Sequence, residues 1–364
     1  MSGKTFDHAG RVRRLQEGMG ETGVDVTLLS VGADLPYFTG YEAMPSERLT
    51  VLVVPASGHP VLFVPHLEAP RVEPGEFEVR SWGETDDPVA LAAALADPSR
   101  VAVGDHMWAV FLTRFLEHWT DAQWLPASEL TSDLRMRKDD AEIELLRQAA
   151  HAVDRVMARI PEEIVFGGRT ERDVARDLAR LVVEEGHDTA EFGIVAAGPN
   201  GASPHHHGGD RVMEEGDVVV CDFGGRLGGY YSDSTRTFVV REPTSEQTDV
   251  HEIVREANEE ARRKVAPGVP CEEVDRAARK VITDAGYGDY FIHRTGHGIG
   301  LEVHEHPYMV EGNDRPLEPG MTFSVEPGIY LPGQFGVRIE DIVVCTPDGS
   351  ETLNQSAHAL FSVS

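Results

Sequence analysis

The apolar residues of this chain fall in short blocks whose period switches between helical and strand-like along its length. Up to about residue 125, helical and strand-like periods alternate. Residues 8–22 space their apolar side chains as an amphipathic helix, 24–30 as a strand, and 49–54 and 60–64 as two β runs around a turn. Residues 89–96 and 109–119 predict helices on either side of a buried strand at 101–104. This alternation predicts a small α/β domain over residues 1–130. A polar stretch then leads into a long helix beginning near Asp139, with Ile143, Leu146, Ala150 and Val153 on one face. A second helix at 171–185 follows. Strands at 218–221, 230–240, 322–325 and 337–345, with helices at 247–265 and 271–285, predict an α+β domain over residues 131–364.

Two domains suit a chain of 364 residues with 41% hydrophobic side chains, which is ample for a sizeable core. No apolar block approaches the roughly 18 residues of a membrane span. The first residues carry no apolar secretion segment, so a cytoplasmic location is expected. The balance of 33 basic and 62 acidic residues, net −29, would repel phosphate backbones and anionic lipid, so neither nucleic acid nor a membrane is an expected partner. Cys221, Cys271 and Cys345 are too scattered for a disulfide framework or a thiolate zinc site and are expected to be small buried residues.

The chemistry lies in the second domain. Asp222 ends the run Val-Val-Val-Cys-Asp, and Asp233 lies on what reads as the returning strand after a glycine-rich turn at 224–229. Across such a hairpin the two carboxylates can share one face of the sheet, a repulsive pairing that calls for a cation or a shared proton. The ordinary alternative is two unrelated surface aspartates. His293, His297, His304 and His306 fall within one glycine-rich segment, where the backbone can approach a site closely. Glu326 and Glu340 sit among strand-like apolar residues, and alternation puts Arg338 on the same face as Glu340. A structural salt bridge from Arg338 to a carboxylate is the simpler reading there. Buried glutamates are costly unless paired or metal-bound. Asp222, Asp233, His297, Glu326 and Glu340 together supply four carboxylates and one imidazole, which match two divalent cations, Mn²⁺ or Co²⁺ first, with Fe²⁺ or Zn²⁺ as alternatives. Such an ion pair activates water and polarises the carbonyl under attack, so the chemistry implied is metal-assisted hydrolysis.

These five residues, in this order and context, resemble the signature of the metal-dependent pita-bread peptidases of family M24: methionine aminopeptidase, Xaa-Pro aminopeptidase and prolidase. The resemblance covers roughly residues 132–364. Weaker motifs such as Leu35-Pro-Tyr-Phe-Thr-Gly40 make the first domain similar to the smaller α/β domain of prolidase and creatinase, which methionine aminopeptidases lack. The implied fold is thus an α/β N-terminal domain plus an α+β pita-bread catalytic domain. The implied roles are Asp222 on one metal, Asp233 and Glu340 bridging both, and His297 with Glu326 completing the other, Glu326 doubling as general base. A family histidine twelve residues before the aspartate of Gly216-Asp217 falls on His205, with His206 next in case of a one-residue slip. His205 and His304 would contact the substrate and stabilise the tetrahedral intermediate. His293 would line the proline side, and Arg338 would stand beside the last metal glutamate as a substrate-binding cation. Arg315 is the candidate for the substrate's terminal carboxylate.

The activity implied is cleavage of an Xaa-Pro bond, as a prolidase-like dipeptidase acting on proline-containing dipeptides or short peptides, in a homodimer. The alternatives are an Xaa-Pro aminopeptidase acting on longer peptides, a creatinase-like C–N hydrolase working without metal, and a non-enzymatic scaffold of the same fold. The complete ligand set disfavours the last two.

Overall fold

The computed structural model describes residues 6–364, which divide into two compact units, one up to Arg135 and one over Met136–Ser364. In the first unit, α1 (His8–Thr22) begins where Asp7 caps the amide of Gly10 and stops at Gly23, whose φ of 70° few other residues tolerate. The chain continues as β1 (Val26–Leu29), α2 (Asp34–Thr39), β2 (Val51–Pro55), β3 (Val61–Pro65), β4 (Glu78–Trp82), α3 (Pro88–Ala93), β5 (Arg100–Val103), α4 (Ala109–His118), β6 (Gln123–Pro126) and α5 (Ser128–Met136). The strands form one mixed sheet in the order β4-β3-β2-β1-β5-β6. Its core joins Val26, Leu28, Val51, Val53 and Phe63 to Val89, Phe111 and Phe115 of the helices. The Leu35-Pro-Tyr-Phe-Thr-Gly40 motif is a short helix, α2, ended by Gly40 at φ 73°.

The second unit opens with α6 (Asp140–Glu163), which Asp139 and Glu142 start with a reciprocal capping box. After it come α7 (Glu171–Glu184), β7 (Thr189–Ala197), β8 (Val218–Leu227), β9 (Tyr230–Tyr231), β10 (Ser234–Val240), α8 (Ser245–Lys264) and α9 (Cys271–Asp284). Eight strands complete the unit: β11 (Gly296–Gly298), β12 (Glu305–Met309), β13 (Thr322–Val325), β14 (Gly328–Leu331), β15 (Phe335–Arg338), β16 (Asp341–Thr346), β17 (Gly349–Thr352) and β18 (Phe361–Val363). One sheet runs β18-β10-β8-β7, a second runs β12-β11-β13-β16-β17, and β14 pairs with β15 as a separate hairpin. Helices α6 and α7 bury Val153, Val156, Leu178 and Leu181 against Val219, Cys221, Phe223 and Phe238 of the first sheet. Helices α8 and α9 bury Val250, Val254, Val274 and Ala278 against Phe323, Val325, Val337 and Val343. All three cysteines are buried. No helix among the described residues is long and apolar enough to cross a membrane.

Three strand assignments change, one of them the strand expected over 230–240, which is interrupted at Ser232-Asp233 between β9 and β10. The turn after Asp222 is not the whole of 224–229. Gly224 and Gly225 lie inside β8, and Gly228 and Gly229, at φ 58° and 89°, make the tight turn. The strand expected over 337–345 is broken at Ile339-Glu340, because β15 pairs with β14 whereas β16 pairs with β13.

Candidate active site

The β8 and β10 register sets the first two carboxylates. Asp222 lies opposite Thr235, Ser234 opposite Phe223 and Arg226 opposite Tyr231, so Asp233 falls level with Gly224, two places beyond Asp222 and on the same face. Gly224 has no alternative there, since a Cβ would lie 1.9 Å from the Ser232 carbonyl oxygen. β11 brings His297, held between glycines whose added Cβ atoms would strike the carbonyls of Ser324 at 1.8 Å and His306 at 2.2 Å. β13 ends just before Glu326, and the break between β15 and β16 delivers Glu340.

Asp222, Asp233, His293, His297, His304, Glu326, Arg338 and Glu340 meet in a cleft of about 1000 Å³, together with His205 and His207. Asp233, His297 and Glu340 each turn a ligand atom to within 4.8 Å of one another. His297 Nε2 lies 3.2 Å from Glu326 Oε1 and 3.8 Å from Asp233 Oδ2. Its Nδ1 is 3.1 Å from the Gly298 carbonyl. A carbonyl only accepts, so Nδ1 carries a proton and Nε2 is the atom aimed at the carboxylates, the orientation a metal ligand needs.

Burial and the neighbouring carboxylates raise Asp233 and Glu340 well above the usual carboxylate range. Burial pushes Glu326 the same way, but His297, His293 and Arg338 outweigh it and hold Glu326 at about 2. Oδ1 of Asp222 and Oδ1 of Asp233 are buried with no hydrogen-bond partner among the described residues. Four carboxylates, with Arg338 the guanidinium paired to one of them and two acceptor oxygens unmatched, are an arrangement that divalent cations satisfy.

Arg338 is committed inside this cluster. Its Nη2 donates to Asp222 Oδ2 at 2.5 Å, Nε to Thr235 Oγ1 at 3.1 Å and Nη1 to Tyr330 Oη at 2.8 Å. Tyr330 in turn meets His293 Nε2 at 2.9 Å, and His293 Nδ1 meets the Arg294 carbonyl at 2.7 Å. Both ring nitrogens of His293 are therefore occupied, and burial, with Arg338 and His205 nearby, lowers its pKa. His304 packs its ring 4.0 Å from that of His297. One side of His304 is open to solvent, yet burial of the other, then His297 and Arg294, brings its pKa down to about 4.

Of the histidine triplet, His205 and His207 line the cleft, while His206 turns away to Glu171, with Nε2 2.8 Å from Oε2. Arg315 is not brought to the lining; its Nη1 lies 3.4 Å from Met136 Sδ. Arg294 is in the lining, stacked 4.2 Å over the Tyr308 ring. Sequence reasoning missed the lining residues Arg294, His207, Phe192 and Ile194, the last two from β7, and Tyr330, which stands behind the lining between Arg338 and His293. A signal existed for His207, since it stands two residues from His205 and shares its side. Nothing local marked the others.

Residues 144–347 match the model of metallopeptidase family M24, and residues 11–137 match the creatinase/prolidase N-terminal domain. This chain belongs to metallopeptidase family M24. As an M24 enzyme it is a metal-dependent hydrolase, with a creatinase-type N-terminal domain ahead of a pita-bread catalytic domain. It is 44% identical to the probable dipeptidase PepE of Mycobacterium tuberculosis, covering 100% of this chain and 99% of that one. It is 37% identical to the Xaa-Pro dipeptidase of Lactobacillus helveticus, covering 94% and 96%. Among solved structures, recombinant prolidase from Thermococcus sibiricus superposes with a TM-score of 0.95 at 38% identity, covering 99% of this M24 chain and 100% of the other.

Proposed function

We propose that this M24 peptidase is a dinuclear, metal-dependent Xaa-Pro dipeptidase. The observation that carries the reading is the cleft itself: four carboxylates line it with His297, two of them, Asp233 and Glu340, within ligand distance of His297, and Oδ1 of Asp222 and of Asp233 are acceptors that cations would match. Near full-length similarity to a relative named Xaa-Pro dipeptidase supports the substrate class. Asp222, Asp233, His297, Glu326 and Glu340 would hold two divalent ions, Mn²⁺ or Co²⁺ first. Bound there, such ions supply a nucleophile at neutral pH and Lewis-acid polarisation of a carbonyl.

The chain's own residues do the rest. Glu326, fixed by the Ser324 hydroxyl at 3.1 Å, is ionised throughout the neutral range, the state a general base requires, and would pass its proton to the leaving amine. His304, neutral at that pH, keeps an N–H to donate to the scissile carbonyl or amide from the cleft mouth. His205 faces the same space. Arg338 holds Asp222 in place and so acts on the ligand set, with no free N–H fork for substrate. A proline after the scissile bond offers no N–H and a fixed φ, which excludes it from most peptidase clefts and calls for a dedicated one. The same reading takes the enzyme to be a cytoplasmic homodimer with residues 1–130 and 131–364 as its domains.

Hydrolysis of Met-Pro and of Ala-Pro-Ala by chelator-stripped enzyme, with and without added Mn²⁺ or Co²⁺, tests it. Metal-restored cleavage of the dipeptide alone is expected. Preference for the tripeptide would make the enzyme an Xaa-Pro aminopeptidase, and no cleavage of either under any metal would sink the proline-specific assignment.

A further inference from the structure

Glu171 is the first residue of α7, and its side chain has no exposed surface. Each carboxylate oxygen accepts two hydrogen bonds. Oε1 takes the Ala197 amide at 2.8 Å and Asn200 Nδ2 at 2.9 Å; Oε2 takes His206 Nε2 at 2.8 Å and the Gly209 amide at 2.9 Å. All four donors belong to the segment 197–209, which leaves the end of β7 and returns toward β8. All acceptor sites of Glu171 are filled from this one segment, with Arg211 close enough to add electrostatic support, so the segment cannot shift without leaving a buried carboxylate short of hydrogen bonds.

The other side of that segment faces the cleft. Pro204, His205 and His207 line it, and the Pro204 carbonyl accepts from Arg338 Nη1 at 3.4 Å. His206, between the two cleft histidines, points the opposite way and is the one that Glu171 grips.

We propose that Glu171 is a positioning residue for the reaction, acting through His206 and Gly209 to fix the segment that places His205 in the cleft. This inference rests on the dipeptidase reading for its kinetic consequence. Its geometric content is independent of that reading. A role confined to packing would treat the α7–β7 contact as filler, indifferent to which donor occupies position 206. A positioning role makes the identity of that donor matter to kcat.

Glu171→Gln keeps the shape but turns an amide N–H₂ toward one pair of donors. On Met-Pro with metal restored, we expect kcat to fall ten- to a hundredfold with KM within twofold and bound metal unchanged. Combined with His205→Asn it should be no slower than His205→Asn alone, because the two act on one step. His206→Gln, which retains a donor, should keep kcat within a few-fold of wild type, whereas His206→Leu should match Glu171→Gln. Independently of turnover, ring ¹⁵N spectra of histidine-labelled, metal-free protein should show the His205 signal moved by Glu171→Gln and the His304 signal unmoved. Wild-type kcat in Glu171→Gln, additive losses with His205→Asn, or an unmoved His205 signal would overturn the proposal. Were Glu171→Gln not to fold, equal kcat in His206→Gln and His206→Leu would overturn it just as well. A wild type inactive on Met-Pro would refute the dipeptidase reading while the ring spectra still decide the positioning.

Discussion

Arg338 shows how much of a residue's role depends on the atom its head group meets. In sequence it stands two places before a metal-type glutamate, open both to a salt bridge and, by resemblance, to a role as substrate cation. In the fold it is buried, and its planar fork joins Asp222, Thr235 and Tyr330. Lysine cannot reproduce those three directions. Arg338→Lys is therefore expected to lower kcat/KM at least a hundredfold and to weaken metal affinity, because Asp222 loses its fixed orientation. Arg338→Met additionally leaves a buried carboxylate unpaired, at a cost of roughly 3–5 kcal/mol in the metal-free protein. Calorimetric metal titration and thermal unfolding of the two variants check this, and full metal affinity in Arg338→Lys would refute it. The five proposed ligands were legible because each sits in a distinctive run of neighbours. The roles of Glu171 and Tyr330 were not, since their partners lie across the fold: His206 is 35 positions from Glu171, and His293 is 37 from Tyr330.

At the scale of elements, legibility followed apolar patterning. β8 opens on the apolar run Val218–Cys221 and β13 alternates as Thr-Phe-Ser-Val, so both were visible, whereas β11 is only Gly-His-Gly and its strand character comes from its neighbours β12 and β13. The break between β15 and β16 was missed although alternation falters there, at the adjacent Glu340 and Asp341; apolar residues on both sides made the run read as one strand, and the change of pairing partner shows it to be two. β11 makes a sharp prediction. A methyl group on Gly296 would meet the Ser324 carbonyl at 1.8 Å, so Gly296→Ala must push β11 off β13 and carry His297 with it. Metal affinity and thermal stability should fall together, whereas Gly58→Ala, with nothing within 4 Å, should leave metal affinity unchanged. Helix α8 supplies a pH prediction. His251 is 4% exposed, its Nε2 has no hydrogen-bond partner among the described residues, and burial, with His358 and Arg255 nearby, lowers its pKa to about 4. Its folded pKa lies below the unfolded value near 6.5, so its contribution is present above pH 6.5 and is lost as pH falls toward 4, by at most about 3 kcal/mol. Urea unfolding of metal-free protein between pH 7 and 4 should show a shallower decline for His251→Leu than for wild type; parallel curves would remove His251 as the cause.

For the whole molecule, the candidate site sets a conflict between function and stability. The sequence carries a net charge of −29, and the most crowded carboxylates lie inside the second unit, where water cannot screen them. Because Asp233 and Glu340 titrate above their unfolded range when folded, their contribution is fully present below about pH 4 and is lost as pH rises through the folded values. Near neutral pH the metal-free chain therefore holds two carboxylates against their preference, and bound cations reverse the sign by matching that charge. Chelation should lower Tm at pH 7.5, with re-addition of Mn²⁺ at a hundred times its Kd restoring about 2.7 kcal/mol per site. Asp233→Asn removes one of the repelling charges while keeping the side-chain shape. In chelator at pH 7.5 this variant should melt above wild type, gain little from metal, and cleave nothing, and its advantage should vanish near pH 4 where the wild-type carboxylates are protonated. Differential scanning calorimetry across that pH range separates the cases. A chelated Asp233→Asn protein that melts below chelated wild type at pH 7.5 would mean that Asp233 stabilises the fold through some contact other than a metal, and that the carboxylate cluster is not a site waiting for cations.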